Sequence, residues 1–200
     1  MTAILDEVLG RGIPADSIVL MVSDPFLPAE LILYEICTSR ITYYVVTERH
    51  PERVSAEISS FAAASGGMKE EVHIVDARGR NVKIVADVLL EAKDANVIID
   101  TFSPFVDDDI LIENMMNACA SHNGLWIFLF VPRGACDEKY VSRLSYLCDV
   151  FVDMRAERVG DDIIMKIAAP KVRGGNPSTR YVRLRFSSSS VEVDTSRDIV

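Results

Sequence analysis

The chain has 200 residues, of which 49% are hydrophobic and 26% are charged, and its formal net charge is −9 at pH 7. This length suits one substantial core and predicts a single domain over residues 1–200. The acidic balance disfavours a main task in nucleic-acid binding, which needs an excess of Lys and Arg, and apolar runs far short of ~20 residues disfavour a membrane span. No basic-then-apolar leader is present, so a cytoplasmic location is expected.

The first two thirds of the chain alternate short apolar runs with segments of helical periodicity. The predicted strands are Ile18–Val22, Ile41–Val46, Val72–Val75, Val97–Asp100 and Trp126–Val131. The predicted helices are Ala29–Thr38, Pro51–Ala64, Val82–Ala92 and Asp108–His122. Nearly continuous apolar runs suit parallel strands that are covered on both faces. The alternation therefore predicts an α/β fold with a mainly parallel central sheet flanked by helices.

The last third of the chain has a different pattern. One further helix is predicted at Tyr140–Cys148. The strands predicted after it are Val150–Ala156, Asp162–Ala168, Tyr181–Phe186 and Val191–Val193. Their short spacing predicts antiparallel hairpins at one edge of the sheet.

Cysteines and histidines show no metal-binding pattern. Cys37, Cys119, Cys136 and Cys148 form no CxxC pair and lie in or beside apolar runs, which predicts reduced and mostly buried thiols. The three histidines, including His122, are scattered, and no spacing places two of them on one helical face. No metal site is predicted.

Several stretches carry a resemblance when they are taken in order. They are Ile4–Leu20, Thr42–Glu48, Asn96–Thr101, Met165–Gly174 and Val191–Asp194. Together they resemble the RecA-superfamily ATPases of the KaiC and archaeal RadA/RadB branch. In chain order, the first three resemble the lead into the phosphate loop, the strand that ends in the catalytic glutamate and the Walker B strand. The last two resemble the closing hairpin. The resemblance spans nearly the whole chain and implies the RecA-like P-loop NTPase fold.

In this alignment the family's phosphate loop falls on a segment of different chemistry. Its residues are Ser23, Asp24, Pro25, Phe26, Leu27, Pro28, Ala29 and Glu30. A working loop uses glycines to wrap the anion with N–H groups, a lysine for the phosphates and a hydroxyl for magnesium. Here Phe26 replaces a glycine, Pro28 removes a donor, Ala29 supplies no cation and Glu30 places an anion at the helix start. A degenerate loop and no bound cofactor are expected.

Two acids at strand ends match the family's catalytic positions. The resemblance implies that Glu48 would activate water and that Asp100 would orient magnesium through water. Both are interpreted as vestigial. Solvated strand ends or helix caps are a common explanation for such residues, and that alternative stays open.

Two further features concern partners. Phe26 and Leu27 are expected to be exposed unless residues 132–136 or the neighbouring hairpin cover them. Lys171 and Arg173 lie two apart on a predicted strand, so their side chains share a face. In KaiC-like rings a pair at this point resembles a finger that reaches into the neighbour's ATP site; a solvated hairpin is the alternative.

The leading functional hypothesis is a catalytically inactive KaiC/RecA-like protein that regulates or supports an active relative. The expected partner is a RecA/KaiC-like ATPase subunit or a second copy of the chain. One alternative is an ATPase or nucleotide-dependent switch with a divergent loop, which would bind ATP and magnesium. Another is a DNA-repair accessory protein of the recombinase-paralogue type, supported only by the basic segment Lys171–Arg185.

Overall fold

A computed structural model of the chain describes residues 3–10, 12–121, 123–187 and 190–194. His122, the last residue of one predicted helix, lies outside the described residues. The helices are α1 (Ala3–Leu9), α2 (Glu30–Cys37), α3 (Pro51–Ser65), α4 (Val82–Glu91), α5 (Asp109–Ser121) and α6 (Glu138–Leu147). The strands are β1 (Ser17–Ser23), β2 (Thr42–Val46), β3 (Val72–Asp76), β4 (Asn96–Asp100), β5 (Trp126–Pro132), β6 (Val150–Val159), β7 (Asp162–Val172), β8 (Ser178–Phe186) and β9 (Val191–Val193).

The described strands form one sheet in the order β3-β2-β4-β5-β1-β6-β7-β8-β9. The pairs from β3 through β6 are parallel, and β6-β7, β7-β8 and β8-β9 are antiparallel. The α/β architecture with a mainly parallel sheet and C-terminal antiparallel hairpins is therefore confirmed. Since parallel strands share a direction, the carboxyl ends of β1, β2, β4 and β5 meet at one edge of the sheet.

The core consists of two apolar layers, one on each face of the sheet. Val19 and Met21 of β1 enter one layer, whereas Leu20 and Val22 enter the other. This alternation follows from the two-residue side-chain period of a strand. Every residue of β1 is buried, which explains its continuous apolar sequence.

The C-terminal strands are longer than their apolar runs predict. β6 continues to Val159 and β7 to Val172, beyond the predicted ends at Ala156 and Ala168. The outer part of this hairpin exposes polar side chains while its backbone ladder continues to the pair Val159 and Asp162. A hydrophobic run indicates only the buried part of a strand, so it underestimates the length of a strand that continues into solvent.

Helix α1 was not predicted, although the sequence carries a signal for it. Ile4, Leu5, Val8 and Leu9 are buried and pack on the antiparallel part of the sheet. Apolar residues at a spacing of four mark one face of such a helix. The helix covers the face that the hairpins would otherwise leave exposed.

Candidate functional site

A cleft of about 350 Å³ lies at the carboxyl edge of the parallel strands. Its lining includes Glu30, Glu48, Arg49, Asp100 and Thr101. This edge is where open α/β sheets commonly bind their ligands. The fold thus brings Glu48, Asp100 and Glu30, which directly follows the β1–α2 loop, to one site.

The loop between β1 and α2 closes on itself. The Leu27 N–H donates to the Asp24 carbonyl at 3.1 Å, and the Leu31 N–H donates to the Pro28 carbonyl at 3.1 Å. Leu27 is only 6% exposed, so for this residue the alternative of cover by the chain itself holds. Phe26 is 84% exposed, as expected. The two residues are adjacent in this turn, which directs Leu27 into the core layer beneath it and leaves Phe26 on the surface.

Asp24 anchors this loop to the neighbouring strands. Its Oδ1 accepts from Arg133 Nε at 2.6 Å, and its Oδ2 accepts from the Ala156 N–H at 2.8 Å. Arg133 also donates to Asp153 Oδ1 at 2.5 Å. Residues 132–136 therefore contact the loop through Arg133, yet Phe26 remains uncovered. The Asp24 carboxylate therefore holds the loop against Arg133 and β6.

Glu30 is the first residue of α2, and its side chain faces the cleft. Burial raises the pKa of the Glu30 carboxyl above its ordinary value, against the opposing influence of its backbone hydrogen bond and of Arg49. Glu48 is exposed two residues beyond the end of β2. Both side chains line the same cleft, so they increase its negative charge.

Asp100 ends β4 and is 3% exposed. Its Oδ2 accepts from the Tyr44 hydroxyl at 2.7 Å and from Arg49 Nη1 at 3.2 Å. Arg49 Nη2 donates to the Tyr34 hydroxyl at 2.6 Å and also bonds the carboxylate of Glu57. Burial raises the pKa of Asp100, while Tyr44 and Arg49 act in the opposite direction. The Arg49 guanidinium thus compensates the charge of the Asp100 carboxylate.

The sequence reading missed Arg49. It directly follows Glu48, and a basic residue at the end of a central parallel strand is its only sequence signal. Its partners are separated from it by 15, 8 and 51 positions along the chain. Only the strand order and the packing of α2 and α3 bring them together.

Lys171 and Arg173 lie beside the amino end of β6, at the end of the sheet opposite the cleft. Lys171 Nζ donates to the carbonyls of Ser145 and Tyr146 at 2.7 and 2.6 Å. Arg173 forms an ion pair with Asp149 at 3.1 Å and donates to the last carbonyl of α6. Both cations therefore cap the carboxyl end of this helix within the chain. Their assignment as a trans-acting finger stays a prediction.

The predicted burial of the cysteines is confirmed for Cys37, Cys119 and Cys148, while Cys136 is half-buried. Within the described ranges, no group of three or more His, Cys, Asp or Glu side chains has a metal-binding arrangement. None of the helices in that part of the chain is both long enough and apolar enough to span a bilayer.

The fold is shared with two archaeal proteins of known structure. The flagellar accessory protein FlaH from Methanocaldococcus jannaschii matches with a TM-score of 0.76 and 14% identity over 96% of this chain and 95% of that chain. The KaiC-like protein PH0186 from Pyrococcus horikoshii OT3 matches with a TM-score of 0.73 and 12% identity over the same shares. These likenesses establish a RecA/KaiC-like fold.

Comparison with curated proteins finds no significant match. A model of a family of unknown function, DUF7125, matches residues 2–200. Since this match spans almost every residue, the chain belongs to the DUF7125 family.

Proposed function

We propose that this chain is a catalytically silent KaiC/RecA-like protein that acts as a regulatory or structural partner of an active relative. The observation that carries the proposal is the contact between Arg49 and Asp100 inside the cleft. A carboxylate already neutralised by a guanidinium has little remaining attraction for a metal–phosphate complex. The resemblance to KaiC-like ATPases supplies the class of partner.

The remaining chemistry of the cleft supports the same proposal. A triphosphate needs cations and free N–H donors, and Arg49 directs its donors to Asp100, Tyr34 and Glu57. Glu30 and Glu48 would face the phosphates with further negative charge. Like charges at close range in a partly buried cleft are strongly unfavourable.

Titration calorimetry and thermal unfolding with ATP and magnesium test this proposal. We expect no saturable heat and no rise in melting temperature at millimolar nucleotide. A ligand at 100 times its Kd would stabilise the fold by about 2.7 kcal/mol, which is readily detected. A KaiC-like ATPase with an intact phosphate loop serves as the positive control. Saturable stabilisation of this chain by ATP would contradict the proposal and favour the nucleotide-dependent switch.

The accessory DNA-binding role has one structural observation in its favour. Arg155, Lys166 and Arg183 lie directly opposite one another on β6, β7 and β8, which places three cations in a row on one face. Asp153 and Glu157 pair with the first two cations and weaken this surface. A gel-shift titration at two salt concentrations decides the matter, because phosphate contacts weaken steeply as salt rises. We expect weak binding at both concentrations.

A further inference from the structure

A small cavity of about 10 Å³ lies at the amino ends of β4 and β5, at the end of the sheet opposite the cleft. Its wall includes the apolar rings of Trp126 and Phe128 and the polar side chains of Ser39, Arg40 and Asn96. This volume is close to that of a single water-sized probe. The cavity is thus too small for any organic ligand.

Two buried polar atoms at this cavity have no hydrogen-bond partner among the described residues: Asn96 Oδ1 and Arg40 Nη1. Asn96 is 2% exposed, and its Nδ2 lies 3.4 Å from both the Ile36 carbonyl and the Thr42 hydroxyl. The Thr42 hydroxyl donates to the Arg40 carbonyl, so it accepts from Asn96. These contacts fix the orientation of the amide and leave Oδ1 as an unpaired acceptor.

Arg40 cannot readily turn to satisfy its own Nη1. Its Nη2 donates to Asp94 at 2.5 Å and to the Gly124 carbonyl at 2.7 Å. The guanidinium carbon also lies 3.9 Å from the centroid of the Trp126 ring. Rotation of the guanidinium would break these contacts. An unpaired donor and an unpaired acceptor are therefore held at one cavity.

We propose that this cavity binds one ordered water molecule, which accepts from Arg40 Nη1 and donates to Asn96 Oδ1. The occupant must accept and donate at the same time. An ammonium ion only donates and a chloride ion only accepts, whereas water does both. Ser39 lines the same cavity, and its hydroxyl can accept the second water proton. Internal waters typically make about three such bonds.

The water adds to a set of hydrogen bonds that link the segments leading into β2, β4 and β5. Asn96 begins β4, Arg40 precedes β2, and Trp126 begins β5. Through Asp94 and Gly124, Arg40 already joins the turns that lead into β4 and β5. A bridging water adds Asn96 to this group. It thereby satisfies the two buried atoms, which would otherwise be left unpaired at high cost.

A high-resolution crystal structure of the full chain tests the proposal. We expect a density peak at about 2.7–3.2 Å from both Arg40 Nη1 and Asn96 Oδ1. Absence of the peak, or a direct contact between the two side chains, would overturn the proposal. This measurement on the unmodified protein decides the question even if no variant folds.

Asn96→Leu refines the test, because leucine keeps a similar shape and removes the acceptor. The peak should be lost in this variant and retained in Asn114→Leu, a matched change at an exposed position of α5. A peak that persists unchanged in Asn96→Leu would show that Asn96 does not hold the water, and the proposed bridge would be wrong.

Discussion

Arg49 is the residue on which the electrostatics of the cleft depend. Its guanidinium lies between the carboxylates of Asp100 and Glu57 and beside the ring of Tyr34, and 29% of the side chain is exposed. Asp100 is almost fully buried, so water provides little compensation for its charge. Tyr44 supplies one hydrogen bond but no positive charge. The stability of the ionised carboxylate therefore rests on Arg49.

We predict that Arg49→Ala lowers the free energy of unfolding by about 3 kcal/mol at pH 7, because removal of one partner leaves a buried charge uncompensated. Urea denaturation measures this change. Arg53→Ala is the matched control: Arg53 also bonds Glu57, but its side chain is 77% exposed. Arg53→Ala should lower the free energy of unfolding by only a small fraction of the loss expected for Arg49→Ala. Equal losses in the two variants would contradict the role given to Arg49.

The deficit of Arg49→Ala should depend on pH. The folded-state pKa of Asp100 is raised above its ordinary value of 3.8, and loss of Arg49 raises it further. A carboxyl whose pKa is higher in the folded state lowers the free energy of unfolding progressively as pH rises from its unfolded pKa through its folded pKa. The free energy of unfolding of Arg49→Ala should therefore approach that of the wild type as pH falls through this window. Adding Asp100→Asn to Arg49→Ala should recover much of the loss at pH 7. A deficit independent of pH would argue against this account.

At the scale of secondary-structure elements, helix α6 ends against β7 through two cations. Lys171 reaches the carbonyls of Ser145 and Tyr146, and Arg173 reaches that of Leu147. The last carbonyls of a helix have no partner within the helix and carry partial negative charge. A strand that contributes cations at this point both satisfies the helix end and fixes its distance from the sheet.

We predict that Lys171→Ala lowers the free energy of unfolding by about 1 kcal/mol, the usual scale for a favourable charge at a helix terminus. Urea denaturation monitored by circular dichroism provides the measurement. Lys139→Ala, at the exposed start of the same helix, is the control and should leave stability unchanged. An unchanged midpoint for Lys171→Ala would show that the cap contributes nothing.

The same cations allow a decisive test of the finger hypothesis. The double variant Lys171→Ala and Arg173→Ala should still bind an active KaiC-like relative and alter its ATP turnover as the wild type does, because both side chains are used within the chain. Turnover measured with and without the variant, beside a pull-down, separates these effects. Loss of the effect on turnover with binding retained would support a trans-acting finger instead.

At the scale of the whole molecule, Phe26 is an exposed aromatic side chain beside the cleft. It is 84% exposed at the tip of a loop whose neighbouring Leu27 is buried. RecA-like domains commonly assemble through surfaces that flank this site, and a covering subunit would remove the ring from water. We therefore propose that Phe26 is a contact point for a covering subunit.

We predict that the chain associates with itself or with a KaiC-like subunit, and that Phe26→Ser weakens the association without lowering the melting temperature. Multi-angle light scattering measures the mass, alone and in mixtures. Leu90→Ser, which changes a side chain 73% exposed on α4, should leave the mass unchanged. A monomer at high concentration, with and without the relative, would remove the assembly proposal.

The sequence by itself determined the architecture of the parallel half. Apolar runs such as those of β1 and β4 must be buried on both faces, and their alternation with amphipathic helices leaves a mainly parallel sheet as the consistent solution. It also indicated the altered chemistry of the loop, because residue types alone show that Ala29 carries no charge and that Pro28 carries no N–H. These properties are local to the residue or to its period.

Only the tertiary structure decided what the polar residues do. Asp100 was identified from the sequence, but its pairing with Arg49 spans 51 positions. The burial of Leu27 and the capping of α6 by Lys171 likewise depend on elements distant in sequence. Hydrophobic periodicity records whether a position faces the core, whereas a charged side chain can be satisfied by any group that the topology brings within about 3 Å. Strand order and helix packing made those choices here.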